Sequence, residues 1–190
     1  MTRWLALLVV ALTGLVAPVA SNVVVSTATD WRASPRFDGQ AYLLSDEDVV
    51  PVPPDGSGVV SALVTLLRWR GDGTSTGAGA NEATLLPLAP DDGGSYHLSD
   101  VAQLASTLGL AGRWFEADVA ALAAVRTPFL ASLREGGGHL IIVRRVAIGY
   151  VYAADPRRGN VLYPLETFRE AWNGRLFVFD EPPPVPAVWR

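Results

Sequence analysis

No cysteine occurs anywhere in the chain, and that one absence removes disulfides, thiolate metal sites and thiol nucleophiles together. Lysine is missing too. All 15 basic side chains are arginine, which excludes Schiff-base chemistry and the lysine of a phosphate-binding loop. Histidine occurs only as His97 and His139, too few to build a zinc site without thiolates. No metal and no cofactor is therefore expected. Charge is sparse, at 18% of residues, and 19 acidic against 15 basic side chains give a net charge of −4 with no basic stripe, so nucleic-acid binding is not expected either. What the chain does have is apolar substance: 49% of its 190 residues are hydrophobic, enough for one buried core. Its 18 glycines and 14 prolines are many, but fewer than in a low-complexity chain.

The longest uncharged run is N-terminal. Arg3 precedes it, and residues 4–25 contain no charged side chain, which is the basic start and apolar middle of a secretory signal. The same 22 residues are long enough to span a bilayer as an uncleaved anchor. Pro18 spoils the most obvious cleavage position, after Ala20, and the apolar run continues through Val25. Residues 1–25 are thus expected to be a signal peptide or a membrane anchor. Either way the domain works outside the cytoplasm, periplasmic or anchored facing outward. A buried helix of a cytosolic fold is a poorer fit, because no polar stripe runs through the segment.

Residues 26–49 are polar and broken by turn residues, and read as a lead-in with no fold of its own, apart from a possible short strand at 40–44. Residues 59–69 (VVSALVTLLRW) carry apolar side chains at helical spacing behind Asp55, Ser57 and Gly58 as capping candidates. A second helix is predicted over 98–108, capped by Ser99 and ended by Gly109, and a third, shorter one over 118–125, with Pro128 stopping it. The period then changes. Residues 129–133, 140–146, 149–153 and 175–180 are short apolar or alternating runs of a meandering antiparallel sheet, with a helix at 164–172 between the last two. Helices first and strands second argue an α+β fold, N-terminal helices packed on a C-terminal antiparallel sheet. The tail, 181–190 (EPPPVPAVWR), suits polyproline II.

The stretch TPFLASLREGGGHLIIVRRVAIGYVYAADPRRGNVLYPLETFREAWNGRLFVF resembles the C-terminal half of the double-glycine peptidases, papain-like cysteine peptidases that trim leader peptides from bacteriocins and other exported peptides. Gly138-His139 opening an apolar strand, a following strand ending in Asp155-Pro156, and then Phe168, Trp172 and Gly174 carry the likeness. Upstream, Leu98, Asp100, Ala105 and Gly109-Leu110 in the second helix, and Ala62, Leu63, Thr65, Leu66 and Leu67 in the first, extend it over residues 50–180. The resemblance implies a papain-like fold. It also implies a site in which a cysteine at the N-terminus of the first helix is activated by a histidine that an aspartate orients.

His139 and Asp155 stand at the matching positions, as the remnant of a catalytic pair. The nucleophile does not: Gly58 occupies its place, and the glutamine that helps hold the oxyanion has no counterpart in the stretch 50–55. By resemblance, then, the chain is a peptidase-like domain that has lost its nucleophile and binds a peptide or partner protein through Ser57, Gly58 and His139. Cysteine-less relatives on export transporters behave in this way. Two other readings remain. The fold could serve as an accessory scaffold of a membrane or envelope complex, with residues 4–25 as anchor and the proline tail as contact. Alternatively Ser57 or Ser61 could replace the thiol, although a serine needs a well-placed base and a prepared oxyanion hole.

The remaining polar features have plainer explanations. His97 reads as an exposed loop residue, Asp155-Pro156 also makes a good turn by itself, and Trp69, Trp114 and Trp172 lie inside apolar patterns as core anchors. Asp91-Asp92 and Asp46, Glu47 and Asp48 lack the alternating spacing of a calcium loop. The glycines at 136–138 read as a hairpin connection into His139.

Overall fold

The computed structural model describes residues 36–53, 56–71, 96–134 and 139–186. The apolar segment 4–25, Asp91-Asp92 and the glycines at 136–138 lie outside them. Helix α1 is Gly58–Arg70. Nine successive residues of it, Val59 to Leu67, are buried, so it is a core helix and not a surface one. It ends at Gly71, whose φ of 91° is readily adopted only by glycine and lets its N–H close back on the carbonyls of Arg68 and Leu67. Helix α2 is Leu98–Thr107. Its cap lies two residues before the predicted Ser99, at His97, whose carbonyl receives the N–H groups of Asp100 and Val101. Ser99 falls inside the first turn, where its hydroxyl reaches the Asp100 carboxylate.

The strands are β1 (Arg36–Phe37), β2 (Tyr42–Ser45), β3 (Gly112–Glu116), β4 (Phe129–Leu133), β5 (His139–Ala147), β6 (Tyr150–Asp155), β7 (Gly159–Pro164) and β8 (Trp172–Phe179). They form one sheet in the order β1-β2-β7-β6-β5-β4-β8-β3, and every neighbouring pair is antiparallel. The papain-like α+β expectation holds. Both faces of the sheet are covered, which is why β5 reads as the unbroken apolar run LIIV. Leu140 and Ile142 face α1 and α2, whereas Ile141 and Val143 face a second core built with Phe168 and Trp172. That second face is covered by helix α3 (Leu165–Ala171) and by Val119–Ala124, which forms a 3-10 helix in place of the predicted α-helical stretch.

Three strands, β1, β3 and β7, are not evident in the sequence pattern. Edge strand β3 pairs with β8 along its whole length, and at Gly112 any Cβ would collide with the Val178 carbonyl oxygen, so only glycine fits. Strand β7 lies between β6 and β2. The lead-in, expected to have no fold of its own apart from a possible strand at 40–44, supplies that strand as β2, adds β1 beside it, and buries Ala41, Leu44 and Val49. These apolar side chains give the segment enough buried surface to join the sheet as its far edge.

After β2 the chain runs along α1 as a strap. Thr65 Oγ1 receives the Val50 N–H at 2.9 Å and donates to the Ser61 carbonyl, the Ser61 hydroxyl reaches the Pro51 carbonyl, and the Trp69 indole N–H reaches the Asp48 carbonyl. Polar residues on this largely buried helix are tolerated because each is paired in this way. The strap also bonds across to the β6–β7 turn, from Val52 N–H to the Pro156 carbonyl at 2.9 Å. One backbone bond therefore ties the entry of α1 to the end of β6.

Candidate functional site

His139 opens β5 and Asp155 closes β6, so antiparallel pairing brings residues 16 apart in sequence to neighbouring strand ends. The His139 Nε2 to Asp155 Oδ1 distance is 2.6 Å, and both side chains are buried, 2% and 0% exposed. Asp155 is held from several sides. The Arg157 N–H donates to Oδ1 at 2.8 Å in an Asx turn, the Tyr163 hydroxyl donates to Oδ2 at 3.2 Å, and Arg158 Nε stands 4.0 Å from Oδ2. Burial first, and then the Asp155 charge, push the Tyr163 phenol well above its ordinary pKa, so it remains a donor to the carboxylate. The turn reading of Asp155-Pro156 and its pairing with His139 are thus both realised by one carboxylate.

A carboxylate on Nε2 fixes the neutral imidazole as the tautomer that donates from Nε2, leaving Nδ1 as an acceptor. Nδ1 is buried and has no hydrogen-bond partner among the described residues. It is aimed at the N-terminus of α1. A Cβ built on Gly58 would lie 3.7 Å from His139 Nδ1 and 3.8 Å from Val52 Cγ2, ordinary van der Waals contacts. Gly58 is therefore the position from which a short side chain would meet the imidazole. Beside it stands the apolar Val52, in the stretch where the resemblance requires an oxyanion donor.

Ser57 is the half-buried N-cap of α1 and makes no side-chain capping bond. Ser61 is fully buried, with its hydroxyl engaged by Pro51, which leaves no path for a substrate carbonyl to its oxygen. The geometry thus brings together Gly58, His139 and Asp155, with Val52 alongside, and sets Ser61 apart. Val52 is a site neighbour that residue type alone does not mark; its place six residues before Gly58, in the stretch that lacks the glutamine, is the signal the sequence offers. His97 is exposed at the α2 cap. Trp172 is buried, while Trp69 and Trp114 are half-buried against the α1 side of the core. No group of three or more potential metal ligands is present among the described residues.

Residues 77–183, just over half of the chain, match the family model described as the peptidase C39 family. The probable functional amyloid protease FapD of Pseudomonas aeruginosa is 26% identical over 83 residues, 43% of this chain and 37% of that protein. The matched stretch thus spans little more than a third of that relative. Among solved structures, a double glycine motif protease from an AMS/PCAT transporter, in complex with the leader peptide, superimposes with a TM-score of 0.57 at 19% identity, covering 78% of this chain and 98% of that one. The peptidase domain of Streptococcus ComA, a bifunctional ABC transporter of quorum sensing, gives 0.58 at 18% identity, covering 69% and 96%. At such identities the structural likeness shows a shared fold.

Proposed function

The chain belongs to the peptidase C39 family, and from that premise we propose that it is a catalytically silent member that works outside the cytoplasm by holding an extended peptide at the α1 N-terminus beside His139. One observation carries this reading: the buried Nδ1 of His139 faces a position where the chain has no side chain. A buried polar atom without a partner costs about 1–3 kcal/mol, and a peptide N–H laid across Gly58 would supply the missing donor. Backbone N–H groups in the first turn of α1 would receive a peptide carbonyl. No thiolate exists to attack that carbonyl, so the peptide stays whole. The solved relative with a bound leader peptide, and the relatives that are transporter domains, support a peptide or an export complex as the partner class.

The test is a binding titration of fluorescent peptides with a small-small junction, monitored in parallel for cleavage. Binding without hydrolysis is expected. Gly58→Phe, which fills the space facing Nδ1, should weaken it at least about tenfold. Phe115→Ser, on the exposed face of edge strand β3, should leave it unchanged. Equal affinity in the wild type and in folded Gly58→Phe would refute the groove as the binding place, and would favour the scaffold reading.

The export half of the proposal rests on the uncharged run at 4–25 behind Arg3. A compartment-sensitive reporter fused after residue 190 should be active outside the cytoplasm. Activity confined to the interior would end this half and leave the groove untouched.

A further inference from the structure

Five residues along β5 from His139, some 16 Å at the rise of a strand, lies a second recess of different character. Its volume is about 360 Å³; Arg126, Thr127, Arg144 and Arg145 line one side and residues 182–185 of the proline tail the other. A β-bulge creates it. Val143 pairs with Ala153 and Arg145 with Tyr152, so Arg144 is an extra residue on β5. A bulge turns two consecutive side chains toward one side of the sheet, and both arginines reach the same recess.

The two guanidiniums are held on aromatic rings: Arg144 Cζ lies 4.3 Å from the centroid of Trp69 and Arg145 Cζ 5.0 Å from that of Tyr152. The ring faces attract the two cations and help to hold the arginine side chains in place. Arg144 is only 3% exposed. Burial pulls its pKa down, and the Asp48 carboxylate works in the opposite direction. A further anion in the recess would offset that burial cost. The lining holds, among the described residues, three arginines and no carboxylate. Among the described residues neither Arg126 nor Arg145 forms an ion pair.

We propose that this recess is an oxyanion-binding site, separate from the His139–Asp155 pair, that takes a carboxylate or phosphate group between the exposed Arg126 and Arg145, with the charge of the buried Arg144 behind them. The Thr127 hydroxyl is a further donor, and Pro182 to Val185 offer an apolar wall to whatever carries the anion. It stands independently of the peptide reading, since neither His139 nor Gly58 takes part.

The experiment follows arginine side-chain N–H resonances and calorimetric heats of the full chain in nonionic detergent. Inorganic phosphate and a short peptide with a free C-terminal carboxylate are titrated at constant ionic strength, with chloride and the amidated peptide as controls. Saturable binding of at least one oxyanion is expected, about tenfold weaker in Arg145→Gln and again in Arg126→Gln. Both arginines are exposed, so the thermal midpoint reports whether each variant keeps its fold. A response to phosphate alone would identify a free ion or headgroup as the source, and a response to the free carboxylate alone a chain terminus; either supports the site. No saturable response to either anion, or undiminished binding in the folded Arg126→Gln/Arg145→Gln variant, would overturn it.

Discussion

Gly58→Cys should give a thiol that titrates roughly 2 units below the ordinary cysteine value of about 8.5 and is alkylated by iodoacetamide at pH 6 about tenfold faster than an exposed control cysteine. The new Cβ meets nothing closer than 3.7 Å, so the side chain fits without displacement. Its sulfur would stand at the first turn of a 13-residue helix and beside His139 Nδ1. The partial positive charge of the helix end favours the thiolate, and so does the acceptor Nδ1, which can take the thiol proton and leave an ion pair. A lower pKa also makes each thiolate a weaker nucleophile, so the rate advantage is modest at pH 7 and larger at pH 6, where the control is almost wholly protonated. Adding His139→Ala should return the titration toward the ordinary value. A thiol at position 58 that titrates near 8.5 in the folded single variant would show that the imidazole and helix end do not act on this position.

Reactivity should not bring peptidase turnover with it, because Val52 offers no hydrogen bond to a developing oxyanion. One such donor is worth about 100- to 1000-fold in rate. Cleavage of a small-small junction should therefore appear only in the double variant Val52→Gln/Gly58→Cys. Equal turnover in the single and double variants would exclude Val52 from that place.

Asp155→Ala should lower stability by about 3–5 kcal/mol, or the thermal midpoint by roughly 10 °C. The carboxylate is fully buried and receives hydrogen bonds from the Arg157 N–H and the Tyr163 hydroxyl as well as the contact with His139 Nε2. Truncation leaves all three groups without it in a space too small to hydrate freely. It also loosens the turn whose Pro156 carbonyl holds the strap at Val52. Asp155→Asn keeps the shape and one acceptor, and should cost less than half as much. Chemical denaturation of the two variants measures this directly. A loss under about 1 kcal/mol in Asp155→Ala would mean that the turn is held by its backbone alone.

The pairing of His139 with Asp155 is legible in the sequence, because a histidine opening one strand and an aspartate closing the next are neighbours by the geometry of a hairpin. Helices α1 and α2 are legible for a similar reason: their apolar spacing repeats locally. Strand β3 is not. Its residues, GRWFE, alternate poorly and leave Phe115 and Glu116 exposed, and its sheet partner is β8, some sixty residues away. Strand β7, GNVLYP, ends in a proline that opens the next helix, and that proline masks the strand before it. The segment 36–45 has the look of a lead-in because its strands are two and four residues long and acquire partners only within the sheet.

What the sequence determined by itself is chemical: a chain with no cysteine has no thiolate, whatever its fold, and a glycine at position 58 presents no side chain. Composition is sufficient for that, since no packing can create a functional group. Proximity was decided by tertiary structure. Gly58 is brought within reach of His139 by the packing of α1 on β5, with the bond from Val52 to Pro156 beside it, and the recess of three arginines is formed at a bulge in β5 by the return of the proline tail. Each joins segments far apart in the chain, through contacts that form only when the whole sheet has paired, and no local pattern of residue types carries that information.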